Sequence, residues 1–100
     1  MTVILIIGHQ YCKPRLKELC RYSEDVSKCW TDLALELDLP SKTIDTLDID
    51  CTRTKDKCRC MFDTWLERSR DPCWCEIVEA LKMIKMSHLA TVIEAEHLGM

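Results

Sequence analysis

The chain is 100 residues long, 47% apolar and 31% charged, with a formal net charge of −3. That balance belongs to one folded domain, lies well away from that of a disordered chain, and lacks the positive charge that a general nucleic-acid binder carries. No apolar run approaches the ~20 residues that span a bilayer, and Gly 2 with Pro 3 leaves too few breakers for a turn-rich sheet protein.

Residues 1–10 form an apolar N-terminal extension. Thr2 to Ile7 is β-branched and strand-like, and three readings stay open for it: an extension of the first helix, a strand across the fold, or a remnant of upstream sequence. Its run Val3-Ile4-Leu5-Ile6-Ile7 has no basic flank and is too short for a signal-peptide core. From about residue 15 the period is helical. Leu16, Leu19 and Cys20 fall at i, i+3 and i+4 behind Pro14. Val26, Cys29, Trp30, Leu33, Ala34 and Leu37 make one apolar stripe, with Ser27 as a cap near its start. Leu39-Pro40-Ser41 ends that helix, and Ser41 caps a short one carrying Ile44 and Leu47. Cys58, Met61, Phe62, Trp65 and Leu66 fill a complete i, i+3, i+4, i+7, i+8 set. Asp71-Pro72 reads as N-cap and first helical residue of a helix turning Trp74, Ile77, Val78, Leu81 and Ile84 inward. Ser87 opens a last helix with Leu89, Ala90, Ile93 and His97 on its inner face, ending at Gly99. Six helices with one apolar face each predict an all-α bundle. Its expected core includes Trp30, Leu33, Leu37, Ile44, Phe62, Trp65, Trp74, Leu81, Leu89 and Ile93.

Taken in series, these stripes resemble a known family. Trp30-x2-Leu33-Ala34-x2-Leu37-x-Leu39, then Ile44 and Leu47, resembles the second and third helices of a death domain. Cys58-x2-Met61-x3-Trp65-Leu66 is similar to its fourth helix, Trp74-x2-Ile77-Val78-x-Ala80-Leu81 to its fifth, and Leu89-Ala90-x2-Ile93-Glu94 to its sixth. The likeness runs from about residue 14 to 97 and sets the expected domain at 11–98. It implies an antiparallel six-helix bundle in Greek-key order, with no catalytic site and no cofactor. It also implies association with other death-fold domains, copies of itself among them, through pairs of surface patches. The expected role is a cytoplasmic, adaptor-type module of apoptotic or innate-immune-type signalling, with no nucleic acid, membrane or small-molecule substrate as partner. Tryptophans at 30, 65 and 74 favour this branch over caspase-recruitment, death-effector and pyrin domains.

The chemistry-bearing residues point the same way. Cys58-x-Cys60 and Cys73-x-Cys75 suggest a metal at first sight, but on a helix i and i+2 stand about 200° apart and cannot share one tetrahedral ion. Read by face, Cys20, Cys29 and Cys58 are small core residues, Cys60 and Cys75 lie on polar sides, and Cys73 stands at a helix start. Structural filler is the plainer reading of all six, with a redox role for the latter three as the alternative. His9, His88 and His97 sit at no recognisable catalytic spacing, and two glycines cannot build a phosphate loop. Eight cysteines admit one alternative of another class, a secreted helical protein knitted by four disulfides; a thiol count separates the two.

Charge is segregated along the chain. Lys13, Arg15, Lys17 and Arg21 against Glu18 give a net +3, and Arg53, Lys55, Lys57 and Arg59 against Asp56 give +3 again. Asp32, Glu36, Asp38, Asp45, Asp48 and Asp50 against Lys28 and Lys42 give −4. These runs are either ordinary solvated faces or two docking patches. In a death-fold bundle the first and fourth helices are neighbours, so the two basic segments would merge.

Overall fold

The computed structural model describes residues 13–98, so the extension at 1–10 lies outside the described residues. Among them every regular element is helical. In chain order these are α1 (Leu16–Cys20), α2 (Ser23–Val26), a 3-10 turn (Ser27–Cys29), α3 (Trp30–Glu36), α4 (Ser41–Asp50), α5 (Thr54–Arg68), α6 (Trp74–Met83) and α7 (Ser87–His97). α2, the turn and α3 follow without a gap as one broken helix, which makes the architecture an all-α six-helix bundle.

The interruption at Ser27–Cys29, inside the stripe expected to run from Val26 to Leu37, is the main departure from the stripe reading, whereas that at Tyr22 falls in the expected gap between the first two helices. Tyr22 (φ −99°, ψ 7°), Val26 (φ −99°, ψ 1°) and Cys29 (φ −130°, ψ 23°) each leave helical geometry, with neither proline nor glycine to mark the place. Packing explains it. A straight helix from 16 to 36 would be about 30 Å long and would carry Leu16 and Leu19 away from the core. Breaking it lets α1, α2 and α3 all lie against α5, where Leu19, Val26, Leu33 and Ala34 are buried. Ser27 is therefore not the cap expected of it: its hydroxyl donates back to the Glu24 carbonyl at 2.9 Å. Two other starts also shift. Pro40 (φ −61°, ψ 143°) is the N-cap of α4 and Ser41 its first residue. α6 begins after Cys73, not at Pro72, because Cys73 is extended (φ −139°, ψ 146°) and its Sγ accepts from the Cys75 N–H at 3.3 Å.

Both glycines of the chain, Gly99 at the expected end of the last helix among them, fall outside the described residues, and several described helices end without one. Two do so by the same device. After α3, Asp38 takes φ 64°, the Asp38 N–H reaches the Leu35 carbonyl at 3.0 Å, and the Leu39 N–H reaches Ala34 at 3.1 Å. After α6, Lys85 takes φ 65°, with Lys85 bonded to Lys82 at 3.2 Å and Met86 to Leu81 at 2.8 Å. Both are Schellman turns with a side-chain-bearing residue where glycine is the easy choice.

α5 is the hub. Cys58, Met61, Phe62 and Trp65 are buried on it, and it meets α1, α2, α3 and α4, while α6 pairs with α7 and leans on α3. Trp30, Leu33, Leu37, Ile44, Phe62, Trp65, Trp74, Leu81, Leu89 and Ile93 are all buried. Cys20 and Cys29 are half-buried at the edge of this core. One polar side chain is stranded in it: Ser23 Oγ is buried with no hydrogen-bond partner among the described residues. No described helix is long and apolar enough to cross a membrane.

Candidate interaction surfaces

The basic residues sit on two neighbouring elements. α1 and its flanks carry Lys13, Arg15, Lys17 and Arg21, and the α4–α5 junction with the first turns of α5 carries Arg53, Lys55, Lys57 and Arg59. α1 packs directly on α5. All eight are exposed except Lys57, which is half-buried. Glu18, the one acid of the first segment, is turned to structural use. Its Oε1 accepts from the Arg15 N–H at 3.2 Å, closing the first turn of α1, and its Oε2 lies 3.8 Å from His97 Nδ1. Lys57 Nζ pairs with Asp48 Oδ1 across α4 and α5, so these two charges satisfy each other within the molecule.

The acids form the complementary set. Asp32 and Glu36 lie on α3, Asp38 in the turn after it, and Asp45, Asp48 and Asp50 on α4; all are exposed. The structure adds two residues that the sequence reading did not single out. Glu76 and Glu79 of α6 line, with Glu36 and Asp38, a groove of about 460 Å³ whose apolar lining is Leu37, Ala80 and Met83. Beside it, Asp32, Leu35, Glu36, Met83 and Lys85 line a second depression. Leu35 and Met83 are 51% and 68% exposed there. Exposed apolar side chains rimmed by polar and charged residues are a common composition for a protein-docking patch. The signal for Glu76 and Glu79 was present, since both lie on the polar side of the α6 stripe. What was missing was the knowledge that α6 lies beside α3.

A buried polar-aromatic cluster holds this frame together. The Tyr22 hydroxyl donates to Glu96 Oε2 at 2.8 Å, and its oxygen lies 2.9 Å from His97 Nε2. The His97 ring stacks on Trp74, with centroids 3.8 Å apart and planes 8° from parallel, and Tyr22 stands edge-on to both. Burial, then the hydrogen bond to Glu96, pushes the Tyr22 phenol up to about 12. A hydroxyl so held ties the α1–α2 link to α7 and is not a proton donor poised for chemistry. His88 is elsewhere, at the edge of a groove it shares with Asp25, Met86 and Val92.

The cysteines divide by depth. Cys58 is buried and donates to the Ser23 carbonyl at 3.7 Å; burial, with Cys29 and Cys20 adding, pushes its thiol up to about 11. Burial also raises Cys29, with Asp32 adding, and its Sγ contacts Met86 Sδ at 3.0 Å. Cys60 is half-buried and Cys75 exposed, whereas Cys73 is buried as the α6 cap. No group of three or more His, Cys, Asp or Glu side chains is gathered in metal-binding geometry among the described residues.

The family model of the death domain matches residues 15–97. The chain belongs to the death-domain family. Death domains are protein-interaction modules of death-fold signalling, not enzymes. In death-domain terms α1, the α2–α3 pair, α4, α5, α6 and α7 are the six helices of the fold, in an antiparallel Greek-key bundle. No curated protein and no solved structure matches the chain.

Proposed function

We propose that this death domain, spanning 11–98, is a cytoplasmic adaptor-type module that assembles with other death-fold domains, its own copies included, in apoptotic or innate-immune-type signalling. The basic surface is formed by Lys13, Arg15, Lys17, Arg53, Lys55 and Arg59, with Lys57 at its margin. The acidic surface is formed by Asp32, Glu36, Asp38, Asp45 and Asp50, with Asp48 at its margin, and continues onto Glu76 and Glu79. The carrying observation is that the two basic segments lie on α1 and α5, which pack on one another, while the acids gather on α3, α4 and the facing edge of α6. Opposite charge on separate surfaces of one molecule favours head-to-tail contacts, which propagate instead of closing into a twofold pair.

The test is assembly against ionic strength and charge. Raising salt from ~50 to ~500 mM shortens the screening length from ~14 to ~4 Å and should weaken association. The pairs Arg15→Glu with Arg59→Glu, and Glu36→Lys with Asp45→Lys, should each abolish self-assembly while circular dichroism stays helical. All four are exposed positions. Mixing the two double variants should pair their intact faces without growing further. Light scattering that is unchanged in every case would show that these charges only solvate the surface.

A further inference from the structure

Cys51 and Cys60 place their sulfurs 3.3 Å apart. Cys51 is the extended C-cap of α4 (φ −107°, ψ 129°), and Cys60 lies within α5. Both are half-buried and so within reach of solvent. We propose that this pair is a modification site, a dithiol that closes reversibly to a disulfide and covalently joins the end of α4 to α5. A disulfide needs its sulfurs at about 2.05 Å, so the pair has only about 1.3 Å left to close. Three of the other thiols are placed for different tasks. Cys58 is fully buried, Cys29 rests on Met86 Sδ, and Cys73 caps α6.

The oxidant that fits is an anionic disulfide of the glutathione type. Arg53, Lys55 and Arg59 surround the pair in sequence and are exposed, outnumbering the neighbouring Asp50 and Asp56, an electropositive setting that draws such a reagent. One protein thiolate attacks glutathione disulfide, forming a mixed disulfide and releasing one glutathione thiolate. The second thiolate attacks the mixed disulfide at the protein sulfur and releases the second glutathione. The two protein thiols lose two electrons and two protons, and one glutathione disulfide becomes two glutathione thiols. The hydrogen bond with Cys51, then burial, pushes Cys60 up to about 11, so Cys60 is the poorer first attacker. Once Cys51 carries glutathione that hydrogen bond is gone, and Cys60 is freed to act as the resolving thiol.

The closed loop contains Arg53, Lys55, Lys57 and Arg59 and so pins the α5 half of the basic surface, an effect that rests on the docking role proposed above. The disulfide itself does not. The full chain would be equilibrated in reduced-to-oxidised glutathione buffers, alkylated, cut with trypsin and weighed. Cleavage at Arg53 and Arg59 separates the two cysteines, so the expected product is the peptide ending at Arg53 joined to the peptide beginning at Cys60. It should form before any other crosslink, revert with excess glutathione, vanish in Cys51→Ser and in Cys60→Ser, and persist in Cys20→Ser. The oxidised chain should melt about 5–10 °C higher than the reduced one. No such joined peptide from the wild type at any ratio, or other cysteine pairs linking first, overturns the site, and this readout does not depend on how the variants fold. Crosslinking with unchanged light scattering upholds the site and refutes its coupling to assembly.

Discussion

Changing Tyr22 to Phe removes one oxygen from the contact between the α1–α2 link and α7 and leaves the ring in place. The edge-on packing on Trp74 and His97 should survive, because it depends on the ring. What goes is a hydrogen bond to a carboxylate at 2.8 Å and a second contact at 2.9 Å to His97. A bond to a charged group contributes about 1.5–3 kcal/mol, but the Glu96 side chain is 55% exposed and regains water, so the net loss should be about 1–2 kcal/mol. For a domain of this size that is a fall of about 5–15 °C in Tm. The pH dependence gives an independent check. An unfolded tyrosine ionises near 10, and Tyr22 in the fold near 12. Below about pH 10 both states hold the phenolic proton, and the full stabilisation is present. Between 10 and 12 the unfolded chain has lost that proton and the folded one has not, so stability falls as pH rises. Discounted for the exposure of Glu96, the fall is about 1–2 kcal/mol. Urea denaturation followed by tryptophan fluorescence, at pH 7 and at steps to pH 11.5, should show the wild type ahead of Tyr22→Phe at neutrality and the gap closing above pH 10. A gap below about 0.3 kcal/mol at pH 7, or one that stays constant to pH 11.5, would refute the reasoning.

Trp65, buried on the inner face of α5, should cost about 3–5 kcal/mol when cut to Ala, a large part of the ~5–15 kcal/mol a domain holds, read by chemical denaturation. Ser23→Ala should stabilise by about 0.5–1.5 kcal/mol in the same assay, since it removes a buried hydroxyl without a partner among the described residues. Lys85→Gly should raise Tm by a few degrees, because Lys85 sits at φ 65°, where a side chain costs about 1 kcal/mol. A double-mutant cycle on Lys57 and Asp48 should return a coupling of about 0.2–1 kcal/mol that shrinks with salt, as a pair with one partner 56% exposed would.

The periodic parts of this fold were legible because one stripe fixes one buried face. Cys58, Met61, Phe62 and Trp65 could be placed inside from spacing alone, and the likeness of the whole series named the family before any coordinate did. The gap near Tyr22 was legible as the end of one stripe before the next, but the break at Ser27–Cys29 was not, for the residues there are compatible with helix and only the need to wrap α5 bends them out of it. Long-range pairings escaped for a related reason. Nothing in the local pattern joins Tyr22 to His97, Cys51 to Cys60, or Glu79 to Glu36. Of the candidate surfaces, the sign and rough location of each charged segment were readable. The pairing of Lys57 with Asp48, which takes one charge out of each, needed the geometry of α4 on α5.

The uneven distribution of contacts around α5 has a kinetic consequence. α6 and α7 form an antiparallel hairpin whose turn, at Ile84–Met86, needs little loop closure. α1 by contrast reaches α5 across the whole of α2, α3 and α4. Local pairs form early and distant ones late. Substitutions such as Ile77→Val in the hairpin should therefore slow refolding, while Leu19→Ala in α1 should leave refolding almost untouched and speed unfolding. α1 would then be the last helix to dock and the first to leave, and half of the basic surface would come and go with it.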